Sequence, residues 1–155
     1  MYKDIIELIV SCLNLIATAI LGFLAYKMTK KYSKKSQKLN EDIIFHQLFR
    51  DFNERYNKLN NTLNHLELNN YTLEELKKDE ILYNDVLDYL NLCAEEYFWH
   101  KKGRIVGKVW QAWNDGMNYW FNNVSVLRDA WDDEIYKNGS KSYYIEDKYA
   151  FFKLI

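Results

Sequence analysis

The sequence contains no proline and only five glycines among its 155 residues. These two residue types most often interrupt helices and form tight turns, so their scarcity argues against a fold built from β-hairpins. Cysteine is also scarce, with Cys12 in an apolar N-terminal run and Cys93 far downstream. We expect these two to lie in different compartments and Cys93 to be a buried free thiol rather than half of a disulfide.

Motifs that carry chemistry are missing as well. The sequence has no GxSxG nucleophile motif, no glycine-rich phosphate loop and no HExxH zinc motif. Glu96 and His100 are four residues apart and could place two metal ligands on one helix face, but no further ligand follows at a suitable spacing. We therefore predict no catalytic residues, no metal and no cofactor, and a protein that is not an enzyme.

What the chain does have is a long apolar run over residues 5–26, without a charge from Leu8 to Tyr26. At about 1.5 Å per helical residue, such a run covers the ~30 Å hydrocarbon core of a bilayer. A buried core helix is the alternative, although core helices are seldom apolar on every face. A cleaved signal peptide would carry its positive charge before the run, whereas Asp4 and Glu7 precede this one. We predict one transmembrane helix.

Six lysines follow the run within Lys27–Lys38, and only Lys3 precedes it. Lysine-rich flanks remain on the cytoplasmic side of a membrane. We therefore predict a single-pass protein of the bacterial inner membrane, with the N-terminus outside and the C-terminal part in the cytoplasm. The lysines are expected to lie against anionic lipid headgroups.

Polar and small residues recur along the run at helical spacing, and this set is called the polar stripe. Such residues lie on one face of a helix, where they favour close helix–helix association in lipid. The alternative is that the hydroxyl and amide groups bond their own backbone. We predict a homo-oligomer through the polar stripe, which consists of Glu7, Ser11, Asn14, Thr18 and Gly22, with Ala25 continuing the same face.

Charge divides the chain into two predicted parts. Residues 1–39, the transmembrane helix and a basic stalk, hold seven lysines and two acids, whereas residues 40–155 hold 14 basic and 20 acidic residues. A net acidic domain is not expected to bind bulk DNA or RNA. We predict an all-α protein, in which the transmembrane helix precedes a compact cytosolic bundle of four to five helices.

Helical signals fill the predicted domain. A heptad pattern runs from Phe45 to Leu66 and is typical of either a coiled-coil seam or a bundle core; its bulky aromatic residues favour the core. Thr72 and Glu75 form a capping box that opens a helix extending to about Lys102, with a break near Asp79. Further helices are predicted over 108–122 and from Ser125 to Lys137, with Ser125 or the preceding asparagines as the cap. A short docked helix is predicted in the aromatic tail.

The only concentrated basic segment of the domain is residues 99–110, here called the basic loop. Backbone N–H groups at a helix start bind anions, and lysine and arginine side chains add positive charge. Aromatic rings there could also stack on a base. The alternative is that the lysines complement a helix dipole and the tryptophans belong to the core. The predicted ligand-binding residues are His100, Lys101, Lys102, Arg104, Lys108 and Trp110.

Four segments carry a resemblance to known proteins: Phe52–Leu59 (FNERYNKL), Tyr89–Tyr97 (YLNLCAEEY), Gly103–Ile105 (GRI) and Val109–Gly116 (VWQAWNDG). Over residues 45–136 the chain resembles small bacterial proteins that pair an N-terminal membrane helix with a short helical domain, many of them associated with phage defence or abortive infection. The layout is also similar to that of the membrane accessory effectors of type III CRISPR systems. That resemblance implies a cyclic oligoadenylate as the ligand, and it transfers no catalytic residue.

These observations support two hypotheses of function. In the first, the cytosolic domain senses an anionic signal, such as a cyclic oligoadenylate, and assembles membrane helices so that they perturb the membrane. In the second, the protein is an anchor or adaptor that holds a partner protein at the inner membrane. A large exposed aromatic patch without a basic pocket would favour the second.

Overall fold

A computed structural model describes residues 2–153 of the protein, and this part of the chain contains α-helices and no strand. The predicted all-α class is therefore confirmed. The elements follow one another as α1 (Tyr2–Leu68), α2 (Leu73–Lys78), α3 (Glu80–Lys101), α4 (Gly107–Asn123) and α5 (Ser125–Asn138), with a short 3₁₀-helix over Ser140–Tyr143.

The chain divides into two compact units, Met1–Ile43 and Ile44–Ile155. The predicted functional boundary between residues 39 and 40 remains a prediction. In the first unit, every described side chain from Tyr2 to Ile43 is exposed. The apolar run in this part of α1 is long and apolar enough to cross a membrane, as its length and composition predicted.

The second unit, hereafter the helical domain, has the heptad residues of α1 in its core. Phe52, Leu59, Leu63 and Leu66 are buried together with residues of the later helices. The interpretation as a bundle core is confirmed for these four positions. Phe49 is 40% exposed, and its ring stacks on Trp113 of α4 with the ring centres 5.8 Å apart.

Helix boundaries in the domain follow local capping chemistry. Thr72 and Glu75 form the predicted capping box at the start of α2. The predicted break falls at Asp79, whose carboxylate accepts a hydrogen bond from the Leu82 N–H at 3.0 Å and caps α3. After α3, Gly103 has φ +68°, a backbone conformation that glycine adopts without steric cost.

The predicted side-chain cap of α5 is wrong. Val124 occupies the N-cap position and makes no side-chain hydrogen bond. Its side chain is buried in the core instead, so burial of an apolar group takes the place of a polar cap. Arg128 reaches back to the preceding helix end, where its Nη1 donates to the carbonyls of Phe121 and Asn122 at 2.8 Å.

The short docked helix predicted for residues 140–155 is present only as the 3₁₀-helix Ser140–Tyr143, and residues 144–153 form turns and bends. Asn114 and Asn118 of α4 each donate a side-chain hydrogen bond to the carbonyl of Phe151, at 2.8 and 3.1 Å. These amides satisfy tail backbone groups that a helix would have paired internally. The Phe152 ring stacks on Phe121 at 4.3 Å, so the tail completes the core.

Candidate functional site

The polar stripe lies on the exposed surface of α1, as all five of its predicted residues are exposed. The Thr18 hydroxyl donates a hydrogen bond to the carbonyl of Asn14 at 2.8 Å. For Thr18 the alternative of bonding to the local backbone is therefore realised. The carboxamide of Asn14 makes no such contact among the described residues, so it remains the central polar group of the stripe.

The basic loop joins α3 to α4. Lys101 is the last residue of α3 and Lys108 is the second residue of α4; both are exposed, as is Lys102. The Lys102 ammonium lies 5.4 Å from the centre of the Phe98 ring, a cation–π contact on the side of α3. Arg104 is half-buried, and its backbone N–H donates to the carbonyl of Trp99 at 3.0 Å.

His100 and Trp110 are brought together by this loop. Their rings are parallel within 6° and their centres are 4.5 Å apart. The rings thus stack on each other, and a base cannot be inserted between them without separating the pair. His100 Nδ1 is buried and has no hydrogen-bond partner among residues 2–153.

The start of α4 has no side-chain cap within residues 2–153. Its N-cap residue is Val106, which offers no side-chain hydrogen bond, and its first turn contains no acidic residue. The first N–H groups of a helix have no partner within the helix and carry partial positive charge. An uncapped helix start beside Lys101, Lys102 and Lys108 is an arrangement that attracts anions.

A second candidate site is a partly open cavity of about 190 Å³ in the helical domain. Helices α1, α3 and α4 contribute its walls, and it contains none of the six predicted ligand-binding residues. Aromatic rings form much of the wall, and three side chains of α3 add polar groups. The aromatic residues are Phe52, Tyr56 and Trp113, and the polar ones are Tyr89, Cys93 and Glu96.

Of the residues that the structure describes, Glu96 supplies the one carboxyl group that lines this cavity, and only 6% of its surface is exposed. No hydrogen bond or close ion pair joins its carboxyl group to another side chain in the described part of the chain. Removal from water raises the pKa of Glu96 to about 8, against a lowering effect of Arg55 and with a small raising effect of Glu95. The carboxyl group is therefore mostly protonated at pH 7.

The neighbouring acid Glu95 behaves differently. Its carboxylate makes a bidentate pair with Arg55 of α1, with Nη1–Oε2 and Nη2–Oε1 distances of 2.6 and 3.1 Å. Adjacent Glu95 and Glu96 therefore point to different faces of α3. The pair neutralises Arg55 locally and leaves Glu96 without a positive partner in contact.

Tyr89 and Cys93 are one helical turn apart on the same wall. The Tyr89 hydroxyl is buried and has no hydrogen-bond partner among the described residues, and the Cys93 thiol is one of the groups around it. Burial raises the pKa of Cys93 and that of Tyr89 well above their ordinary values. Cys93 is therefore a neutral thiol at pH 7, as the sequence predicted for a buried free cysteine.

The sequence singled out Glu96 only as half of a weak metal pair with His100. No group of three or more His, Cys, Asp or Glu side chains suited to a metal ion occurs in residues 2–153. The cavity was not predicted from the sequence. The sequence feature that indicates it is the position of Glu96, which is seven residues after Tyr89 and three after Cys93. This spacing places a carboxyl group on the apolar face of α3.

Comparisons with known proteins add no relative to these observations. No family model, no curated protein and no solved structure matches the chain.

Proposed function

We propose that this protein is a membrane-anchored, non-enzymatic bacterial antiphage effector. Residues 5–26 cross the inner membrane with the N-terminus outside, and the helical domain receives an anionic signal in the cytoplasm. The signal promotes assembly of several copies through the polar stripe, and the assembled helices perturb the membrane. The observation that carries this proposal is the fully exposed apolar run of α1 with its single line of polar groups.

Apolar exposure on this scale requires a covering. Leucine, isoleucine and phenylalanine side chains such as Leu15, Ile20 and Phe23 are all more than half exposed. Removing each such side chain from water contributes about 1.5–3 kcal/mol. Because the exposed residues surround the helix rather than forming one seam, lipid fits them better than a single protein partner. The lysines of Lys27–Lys38 support the proposed orientation.

The polar stripe supports assembly rather than anchoring alone. An anchor needs only apolar length, whereas Asn14, Ser11 and Glu7 place polar groups where lipid cannot pair with them. Thr18 satisfies itself locally, so we assign the main interhelical hydrogen bonds to Asn14. Gly22 lies on the same face and permits close approach of a second helix.

The basic loop supports the sensing step. Exposed Lys101, Lys102 and Lys108 lie within six residues of the uncapped start of α4, in a domain whose sequence is otherwise net acidic. The resemblance to type III CRISPR accessory effectors suggests a cyclic oligoadenylate as the signal to test. Since His100 and Trp110 already stack on each other, we expect such a ligand to be held through its phosphates, with any base stacking on an outer ring face.

The test is dye release from liposomes of phosphatidylethanolamine and phosphatidylglycerol that contain the full-length protein. We expect release on addition of cyclic oligoadenylates of several ring sizes. Asn14→Leu should abolish release and retain ligand binding, whereas Lys101→Ala combined with Lys108→Ala should weaken both. Leu15→Ala, beside Asn14 but outside the polar stripe, is the matched control and should behave as the unmodified protein.

A protein that inserts into these liposomes, binds no cyclic oligoadenylate and releases no dye would contradict the effector proposal. The adaptor function would then lead. Normal release by Asn14→Leu would show that the polar stripe is not the assembling surface.

A further inference from the structure

The cavity of the helical domain combines features that a purely structural void lacks. Voids left by packing are lined by apolar groups and remain dry. Here the Tyr89 hydroxyl, which is buried and has no hydrogen-bond partner among the described residues, and the carboxyl group of Glu96 border about 190 Å³ of space. Buried polar groups normally have partners, so polar groups of this kind on the wall of a cavity suit a polar or charged ligand.

The chemistry of the walls selects the class of that molecule. Phe52, Tyr56 and Trp113 contribute aromatic side chains to the wall, and aromatic rings attract cations. Within residues 2–153, Glu96 supplies the one carboxyl group that lines the space, and no lysine or arginine of this range lines it. A cation favours the ionised form of this carboxyl group, whereas an anionic ligand would be repelled by that form and would find no such positive side chain on the wall.

The geometry points to a binding site for a small organic ammonium ion, held between the Glu96 carboxylate and the aromatic walls of the cavity. It is separate from the basic loop and does not rest on the effector proposal. The ligand is a protonated amine or a quaternary ammonium group with few other heavy atoms, because the cavity is little larger than one that holds a benzene-sized molecule.

Groups around Glu96 define how the site responds to pH. Arg55 and Asp51 approach from α1, and Arg55 is paired with Glu95 of α3. Tyr89 and Cys93 are neutral there because burial raises their pKa values, and α4 contributes Ala112, Trp113, Gly116 and Met117, none of which titrates. Binding of a cation must ionise Glu96, whose pKa of about 8 keeps it protonated in the empty site.

A pH signature follows from this linkage. Binding at pH 7 should release close to one proton, and affinity should rise about tenfold per pH unit below pH 8 and then level off. A neutral molecule of the same shape has no reason to bind more tightly as Glu96 ionises. The two cases are thus distinguished by a pH series.

The experiment uses the full-length protein in maltoside detergent, titrated with choline and with its neutral isostere 3,3-dimethylbutan-1-ol. Tryptophan fluorescence and calorimetry in two buffers of different ionisation heat report binding and proton release. We expect saturable choline binding that strengthens with pH and is at least about tenfold tighter at pH 8 than that of the isostere. Equal binding of the two, or no saturable binding of either, would overturn the proposal.

Variants locate the site. Glu96→Gln retains the shape and neutrality of the protonated side chain, so it should fold, lose at least about tenfold in choline affinity at pH 8 and show no proton release. Glu80→Gln, an exposed glutamate on the same helix, is the matched control and should bind as the unmodified protein. Unchanged choline binding by Glu96→Gln would overturn the proposal.

A second variant fills the cavity without touching Glu96. A Cβ at Gly116 of α4 meets open space, with no atom within 4 Å, so Gly116→Leu can place its side chain in the cavity. We expect it to abolish binding of both probes, and retained binding would show that the ligand lies elsewhere.

A titration with phosphorylcholine distinguishes two possible sources of the ammonium group. Tighter binding than that of choline identifies a lipid headgroup as the ligand, and weaker binding identifies a free amine.

Discussion

The two units of this chain place similar apolar side chains in opposite surroundings. Leu21 in the first unit is 66% exposed, whereas Leu63 in the helical domain is 1% exposed. Both lie in α1, so secondary structure does not distinguish them. The distribution of neighbours does, since apolar residues surround the helix near Leu21 and form one stripe near Leu63. The arrangement of apolar residues around a helix, rather than their number, therefore indicates whether lipid or protein covers the apolar side chains.

The largest expected effect tests the membrane side of this comparison. A reporter that works only in the cytoplasm should be active when it is fused after residue 155, because Lys27–Lys38 follow the apolar run. A reporter that works only in the periplasm should be inactive at the same position, so the outcome is all or none. Fusion of each reporter before residue 1 should give the opposite result. Activity of the C-terminal fusion only in the periplasm would contradict the proposed orientation.

Inside the domain, the sharpest expected effect concerns the buried acid. Glu96 has a folded pKa of about 8, above its value in the unfolded chain. The folded state therefore holds one more proton between about pH 5 and pH 8, and the free energy of unfolding should fall by roughly 4 kcal/mol over that range through this group. Stability is lost as pH rises, the reverse of a salt-bridged acid.

Denaturant unfolding of the full-length protein in maltoside detergent at several pH values checks this slope. Glu96→Gln should remove most of it and unfold at higher denaturant concentration than the unmodified protein at pH 8. Glu80→Gln, on the exposed face of the same helix, should leave the slope unchanged. A slope that persists in Glu96→Gln would assign the titration to another group.

The next effect compares one substitution in the two units. Leu63→Ala should lower the free energy of unfolding of the domain by about 3 kcal/mol, because it opens a cavity in a packed core. Leu21→Ala should leave domain unfolding within ~0.5 kcal/mol, because Leu21 is 66% exposed and leaves no cavity when it is shortened. Near-ultraviolet circular dichroism during denaturation measures both. Equal losses from the two substitutions would contradict the division into separate units.

The smallest effect concerns a helix cap. Thr72→Ala removes the side-chain acceptor for the Glu75 N–H and should cost about 1 kcal/mol of domain stability. Thr72→Ser retains the hydroxyl and is the control, with little expected loss. The same denaturation curves measure both variants, and identical curves for Ala and Ser would show that the cap contributes nothing.

Much of the local structure was predictable from short sequence signals. The capping box at Thr72, the break at Asp79 and the left-handed Gly103 depend on residues within one helical turn, where the chemistry is contained in the local sequence. The tail was not predictable in this way. Its conformation depends on the amides of Asn114 and Asn118, which are more than thirty residues away along the chain.

The candidate sites show the same limit. The sequence predicted that the lysines of the basic loop lie between two helices. This prediction was possible because the loop is short and its position depends on residues close to it in the chain. The mutual stacking of His100 and Trp110 could not be inferred, since ten residues separate them and a turn brings them together. The function of the loop and of the polar stripe remains a prediction.

The sequence alone was enough to predict the helical class, the long apolar run with its basic flank, and most helix ends. Helix ends depend on interactions within a few residues. The apolar run is recognisable because an unbroken apolar segment of this length needs an apolar environment. Only the tertiary structure decided that Glu95 pairs with Arg55 while Glu96 borders a cavity with Tyr89 and Trp113. Those contacts join α1, α3 and α4. Removal of Glu96 from water raises its pKa, and this removal occurs only when the three helices pack together.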